Sequence, residues 1–180
     1  MNKNLVRTSC MAAALAVVSA SAVAQNQGQG NSSGCGALPS HSQFKAALTA
    51  ARQQSNGGFN LDMWGAIVNR DGIVCAVAFT GDDRGSEWPG SRVISAQKAN
   101  TANAFSLPSL ALSTANLYAA VQPGGTLFGL QFSNPVDPQV AYRGNAGNFG
   151  QANDPMVGFR IGGVNVFGGW LALYDRNQQL

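Results

Sequence analysis

A turn motif between two apolar runs constrains this chain more than any other feature. Residues 69–72 are Asn-Arg-Asp-Gly, and they separate the apolar runs 63–68 and 73–79. Asp-Gly between two apolar runs strongly favours a β-hairpin, because the tight turn needs a positive φ that glycine adopts at little cost. The sequence therefore predicts an antiparallel pair of strands at the centre of the fold.

One helix is predicted before this hairpin and another after it. Ser40 and Gln43 match a capping box, in which each side chain satisfies a backbone N–H of the first helical turn. The apolar residues that follow fall on one helical face, and residues 56–58 (Asn-Gly-Gly) are predicted to end this helix. A second helix is predicted over Ser91–Phe105, where small residues indicate close packing against a neighbour.

The rest of the chain gives weaker signals. The patterns predict a third helix over 110–120, a short strand over 127–132 and an unstructured loop over 134–155. Over 164–174 they predict strands interrupted by a glycine bend. Asp175 to Asn177 then predicts a turn, so this closing ribbon is expected to be one arm short of a hairpin. The order of elements predicts an α/β or α+β fold with an antiparallel sheet, in a single domain over 38–180.

The N-terminal residues predict an export signal. Lys3 and Arg7 precede an apolar run, 11–18, that is too short to span a bilayer. Ala22-Val23-Ala24 then offers the small-residue pattern of a signal peptidase site, with cleavage before Gln25. Residues 1–24 are therefore predicted to be a signal peptide, and 25–37 a disordered arm rich in Gly, Gln, Asn and Ser. These features predict a periplasmic or secreted protein without a membrane span.

Removing the signal peptide changes the charge balance. Lys and Arg fall from 11 to 9 with the loss of Lys3 and Arg7, while Asp and Glu stay at 8, so the net charge becomes 9 − 8 = +1. A nearly neutral chain without a basic, aromatic-rich run gives no indication of a nucleic-acid partner.

Two cysteines remain after the signal peptide. Cys35 lies in the Gly- and Ser-rich arm and Cys75 lies in the predicted return strand of the hairpin. In an oxidising compartment the two are candidates for a disulfide that ties the arm to the sheet. The alternative is a free, buried Cys75, which behaves as a small apolar residue.

Catalytic motifs are weak. Ser95-Ala96-Gln97-Lys98 matches the S-x-x-K nucleophile motif of serine acylases, but the supporting S-D-N and K-T-G elements are absent. The chain has a single histidine, His41, and no cluster of residues with metal-ligand spacing. No catalytic residue is therefore assigned.

Three segments resemble the GlcG/HbpS family of haem-binding proteins. They are the hairpin 64–72, the helix 95–105 (Ser-Ala-Gln-Lys-Ala-Asn-Thr-Ala-Asn-Ala-Phe) and the glycine-containing ribbon 162–174. The resemblance implies a profilin-like core of an antiparallel sheet flanked by helices, assembly into homo-oligomers, and binding of haem or a related tetrapyrrole. The family's C-terminal strand and helix have no counterpart here.

Haem binding requires an apolar slot, an axial iron ligand and cations for the propionates. His41 is the first candidate for the iron ligand, because it is the only imidazole. Without a C-x-x-C-H motif, attachment would be non-covalent. Other candidate ligands are Tyr118, Tyr142, Met63 and Met156, and the candidate propionate partners are Arg84, Arg92 and Lys98. Two alternatives stay open: an oligomeric scaffold without a cofactor, and a small-molecule enzyme that uses Ser95 and Lys98.

Overall fold

The structure is a computed structural model that describes residues 34–55 and 58–180. The predicted signal peptide and residues 25–33 of the predicted arm lie outside the described residues. Residues 35–38 form a turn in which the backbone N–H of Leu38 donates to the carbonyl of Cys35 at 3.0 Å. Cys35 and Cys75 form a disulfide with their Cα atoms 5.4 Å apart, which agrees with the predicted pairing.

The predicted hairpin is confirmed. Strand β1 (Trp64–Val68) pairs antiparallel with β2 (Val74–Phe79). Gly72 has a φ of 74°, and its N–H donates to the carbonyl of Asn69 at 2.9 Å, so the turn closes as the motif requires. The register shifts between Ile67 and Val68, which makes Cys75 the extra residue of a β-bulge.

Two helices cover the hairpin, and both begin where predicted. The first ends at Arg52, before the predicted stop at 56–58, of which residues 56 and 57 lie outside the described residues. Helix α1 (His41–Arg52) begins at the predicted capping box, where the N–H of Ser40 donates to the side chain of Gln43 at 2.9 Å. Helix α2 (Ser91–Phe105) has the predicted bounds. A Cβ added to Gly65 would lie 2.7 Å from the ring of Phe44, so α1 packs directly against the backbone of β1.

Alternation along the strands gives each helix its own face of the hairpin. Gly65 and its partner Ala78 lie on one face, while Ala66 and Val77 lie on the other. The second face belongs to the main core, to which α2 contributes Val93, Ala96 and Ala99. A smaller buried cluster lies elsewhere and comprises Leu117, Val121, Val164 and Val166.

The predicted third helix over 110–120 is wrong. Leu107 and Leu110 exchange two backbone hydrogen bonds in a tight turn, and two short 3₁₀ helices follow, Thr114–Leu117 and Ala119–Val121. The side chain of Ser113 caps the first of them. No continuous helix forms because the Ser113 side chain bonds the backbone ahead of it, which ends one turn and begins another.

The predictions for 127–132 and 134–155 also need correction. The first segment is a turn that leads into the short helix α3 (Leu130–Ser133), because Gly129 with a φ of 91° turns the chain out of an extended path. The second segment is not an unstructured loop. It contains helix α4 (Pro138–Ala141) and a 3₁₀ turn (Ala146–Asn148), and Asp154 near its end is buried.

The predicted strands over 164–174 are wrong. Gly162, Gly163 and Gly169 have positive φ values, which interrupt an extended ladder. The C-terminal region contributes only isolated bridges among the described residues, between Ile73 and Arg160 and between Val136 and Gly162. The turn after Tyr174 is confirmed. The fold is therefore mixed helix and strand with a two-stranded antiparallel sheet, which is compatible with the α+β class.

Candidate functional site

A large groove runs beside β1, which pairs only with β2 in the described part of the chain. Its volume is about 1280 Å³. Four parts of the chain form its walls: residues 34–39, helix α1, the end of α2 and the C-terminal ribbon 169–174. The groove therefore occupies the place next to β1 where a further strand of the sheet would lie.

The groove is mainly apolar. Phe44 and Leu48 line it from α1, and Leu171 and Leu173 line it from the C-terminal ribbon. The two leucines of the ribbon are 70% and 58% exposed, which is unusual for large apolar side chains that share one cavity wall. These exposed walls can gain free energy by covering an apolar ligand.

The free edge of β1 adds backbone groups to the groove. The N–H of Thr80 donates to the carbonyl of Met63 at 3.0 Å, which sets the hydrogen-bonding alternation of the hairpin. By that alternation, the N–H and carbonyl groups of Trp64 and Ala66 face away from β2. The edge of β1 therefore offers a few donors and acceptors beside the apolar walls.

Arg70 supplies a cation at one end of the groove. Its guanidinium donates to the side chain of Asn103 at 2.9 Å and to the carbonyl of Ser106 at 3.1 Å, so the end of α2 holds it in place. Arg70 is nevertheless exposed and has no ion pair among the described residues. It remains able to attract an acidic group.

The structure places His41 away from the groove. His41 is the first residue of α1, and its Nε2 lies 2.9 Å from the carbonyl oxygen of Gly150. That carbonyl can only accept a hydrogen bond, so Nε2 of His41 is the donor in this contact. His41 therefore ties α1 to the segment after α4, and it does not line the cavity.

Arg92 is not available to a ligand. It is 2% exposed, and its Nε donates to Oδ2 of Asp154 at 2.8 Å. The ring of Phe149 lies 3.7 Å from the guanidinium carbon. Arg84, the neighbouring candidate, lies on an exposed loop and does not line the groove.

Lys98 stands behind the groove wall. Its Nζ donates to the carbonyl of Gly168 at 3.0 Å and lies 5.6 Å from the ring centroid of Trp170, which lines the groove. Partial burial lowers the pKa of Lys98, because the surroundings solvate the ammonium less well than water does. The amine therefore supports the wall and does not face the cavity.

Ser95 does not act with Lys98 as an S-x-x-K pair. Ser95 is buried, and its hydroxyl donates to the carbonyl of Arg92 at 2.8 Å. A nucleophile must be reachable by its substrate and within hydrogen-bond distance of its base. The arrangement meets neither requirement.

The remaining candidates are dispersed. Tyr118 and Tyr142 are exposed, and Tyr118 contacts the ring of Phe167 with centroids 6.4 Å apart. Met156 is fully buried in the core, whereas Met63 lines the groove. Within the described residues no three His, Cys, Asp or Glu side chains are grouped to hold a metal ion. No described helix has the length and apolar character needed to cross a membrane.

Sequence reasoning missed the groove residues on which the site depends, namely Phe44, Leu48, Arg70, Leu171, Leu173 and Tyr174. One signal was available, since Leu171 and Leu173 alternate along a segment that was expected to be a strand with one open side. The cavity itself depends on the approach of four distant segments, which no local pattern reports.

Comparison with known proteins finds no match: no family model, no curated protein and no solved structure is significantly similar to this chain. The resemblance to the GlcG/HbpS family therefore stays a prediction.

Proposed function

We propose that this protein binds a large, flat apolar molecule of the tetrapyrrole class in the groove beside β1. The observation that carries the proposal is the size and lining of the groove. Ligand sites usually measure about 300–1,000 Å³ and are mainly apolar with a few polar groups. A groove of about 1280 Å³ suits a ligand at or above the upper end of that range; its walls are mainly apolar, and its charged lining residues are Arg70, Asp71 and Asp175.

The lining residues suit the tetrapyrrole ring better than they suit its metal. Phe44, Leu48, Leu171 and Leu173 offer apolar surface to a ring, and Arg70 offers a partner to its carboxylates. No histidine lines the groove. Among the lining residues, the possible iron ligands are the thioether of Met63 and the phenol of Tyr174, and the Tyr174 hydroxyl already donates to the carbonyl of Leu107 at 2.7 Å. The proposal therefore concerns the ring and does not require iron.

The fold type and the location of the protein are also proposed. A profilin-like sheet flanked by helices is consistent with the hairpin between α1 and α2, and the Cys35–Cys75 disulfide is consistent with a periplasmic or secreted protein. Both stay proposals, as does membership of the GlcG/HbpS family.

A cofactor-free oligomeric scaffold is the second candidate. Three exposed phenylalanines support it: Phe128 is 62%, Phe132 is 77% and Phe167 is 61% exposed. Large exposed aromatic side chains are common at contacts between subunits. Homo-oligomerisation is compatible with ligand binding, so sedimentation of the purified protein would test it separately.

Binding of protoporphyrin IX, which lacks a metal, tests the main proposal most directly. Quenching of tryptophan fluorescence on titration should saturate, because Trp170 lines the groove and Trp64 belongs to β1. Ala47 and Ala46 are adjacent exposed residues of α1, but only Ala47 lines the groove. We expect Ala47→Trp to block binding and Ala46→Trp to leave it unchanged.

Hemin should bind with an affinity within about tenfold of the metal-free ring, since no histidine is positioned as an axial ligand. His41→Ala should leave the Soret band of bound hemin unchanged. Equal loss of binding in Ala46→Trp and Ala47→Trp, or saturation that neither variant changes, would refute the groove as the site.

A further inference from the structure

The Cys35–Cys75 disulfide joins one wall of the groove to the sheet. Cys75 is the extra residue of the bulge in β2, and Cys35 lies in the segment 34–39 that forms this wall. Gly34, Ala37 and Leu38 of that segment line the cavity. The disulfide is therefore placed where it sets the position of a ligand-binding wall.

Most of the wall lies on the surface. Gly34, Gly36, Ala37 and Pro39 are exposed, and the backbone hydrogen bond from Leu38 to Cys35 is local to the segment. Gly34 packs against the side chain of Asn69 in the hairpin turn, where an added Cβ would lie 3.0 Å from Nδ2. A segment with little buried apolar surface gains little from packing. The covalent bond therefore ties it to β2, while its other end continues into the capped start of α1.

We propose that this disulfide is a redox-controlled latch on the groove. While it is intact, the wall 34–39 is held in place; reduction frees the wall and weakens ligand binding. The chemistry is an exchange with a dithiol reductant: two electrons and two protons pass to the protein, the S–S bond becomes two thiols, and the reductant forms its own disulfide. The effect on the ligand rests on the proposed function, whereas release of the wall does not.

Two measurements on the purified protein test the latch, with and without dithiothreitol. The first is amide hydrogen exchange, which needs no ligand. Exchange over 34–39, and at Leu38 in particular, should approach the rate of unprotected amides on reduction. Amides of α2 and β2 should remain protected, with protection reduced only as far as the global stability falls. The second is protoporphyrin IX binding, which we expect to weaken by about tenfold, because a freed wall must be ordered again when the ligand binds.

The double variant Cys35→Ser/Cys75→Ser should match the reduced protein in both measurements and should not respond to dithiothreitol. If exchange over 34–39 does not change on reduction, the latch is refuted. It is also refuted if α2 and β2 become as unprotected as 34–39, since the whole fold and not the wall alone would then open on reduction. If exchange follows the prediction but protoporphyrin IX binds in neither state, the latch stands as a property of the wall and the proposed ligand class is wrong.

Discussion

Arg92 of α2 and Asp154 form a buried ion pair that joins the second helix to the segment after α4. The Nε of Arg92 donates to Oδ2 of Asp154 at 2.8 Å, and each residue is 2% exposed. The carboxylate also accepts the backbone N–H groups of Gly150 and Met156 at 2.7 and 2.9 Å. All of these bonds satisfy groups that water cannot reach, so the pair organises the centre of the C-terminal half.

Breaking this pair should be costly. Removing one partner leaves the other charge buried without compensation, which typically costs about 3–5 kcal/mol. Arg92→Met and Asp154→Asn should each lower the free energy of unfolding, measured by urea denaturation, by about that amount.

Arg143 provides a matched control for the loss of Arg92. Its guanidinium carbon lies 3.8 Å from the ring centroid of Phe159, a stacking geometry like that of Arg92 on Phe149, but it has no ion pair among the described residues. Arg143→Met should therefore cost about 1 kcal/mol or less. Equal losses in Arg92→Met and Arg143→Met would show that the Asp154 carboxylate contributes nothing specific.

Local signals explain what the sequence predicted well. The turn at Gly72, the capping box at Ser40 and the bounds of α2 each depend on residues within a few positions of one another. Tertiary contacts explain what it missed. Arg92 lies 62 residues from Asp154, and no local pattern distinguishes a helix arginine that turns inward from one that faces solvent.

The C-terminal ribbon shows that local sequence patterns are equally insufficient to predict a strand. Residues 164–174 carry apolar side chains typical of a strand, but strand formation also needs a partner in register, which the sequence does not specify locally. The positive φ values of Gly163 and Gly169 interrupt the extended backbone on either side of Val166. The ribbon therefore forms a wall of the groove instead of completing the sheet, and the groove could not be predicted from the same residues.

Alanine substitutions at Gly150 and Gly124 distinguish the cost of steric crowding from the cost of an unfavourable backbone conformation. Their φ values are 75° and 84°, so an alanine at either position adopts the unfavourable left-handed region, which costs about 1–2 kcal/mol. At Gly150 an added Cβ would lie 2.3 Å from Cδ1 of Phe79 and 2.8 Å from the ring of Trp64, whereas nothing lies within 4 Å at Gly124.

Gly150→Ala should therefore be less stable than Gly124→Ala by a further amount of about 1–3 kcal/mol, the usual cost of overpacking a core. Thermal unfolding followed by circular dichroism measures both variants under one condition. If the two alanine variants lose the same stability, the rings of Trp64 and Phe79 do not pack against Gly150 as the structure describes.

Lys98 should make stability depend on alkaline pH. Burial lowers its pKa in the fold below the ordinary value of 10.5, which the unfolded chain retains. Between the two values the unfolded chain binds more protons, so the free energy of unfolding should rise with pH in that window. Below both values the ammonium is present in both states, and the fold bears the full cost of its desolvation.

The contribution of Lys98 is isolated by subtraction. The free energy of unfolding of the wild type, minus that of Lys98→Met, should increase as the pH rises from neutrality towards about 10.5. The bond to Gly168 and the contact with Trp170 offset part of the cost, so the rise should be modest. A flat or falling difference would mean that burial does not disfavour the ammonium.

The disulfide should stabilise the fold mainly through the unfolded chain. Cys35 and Cys75 are 40 residues apart, and closing a loop of that length removes chain entropy worth about 4 kcal/mol. Urea denaturation of the oxidised and reduced protein should differ by roughly that amount. The double variant Cys35→Ala/Cys75→Ala should resemble the reduced protein whether or not a reductant is present. Because the loop constraint acts on the unfolded ensemble, the reduced protein should keep its native circular dichroism in the absence of urea, and loss of that spectrum on reduction would contradict this account.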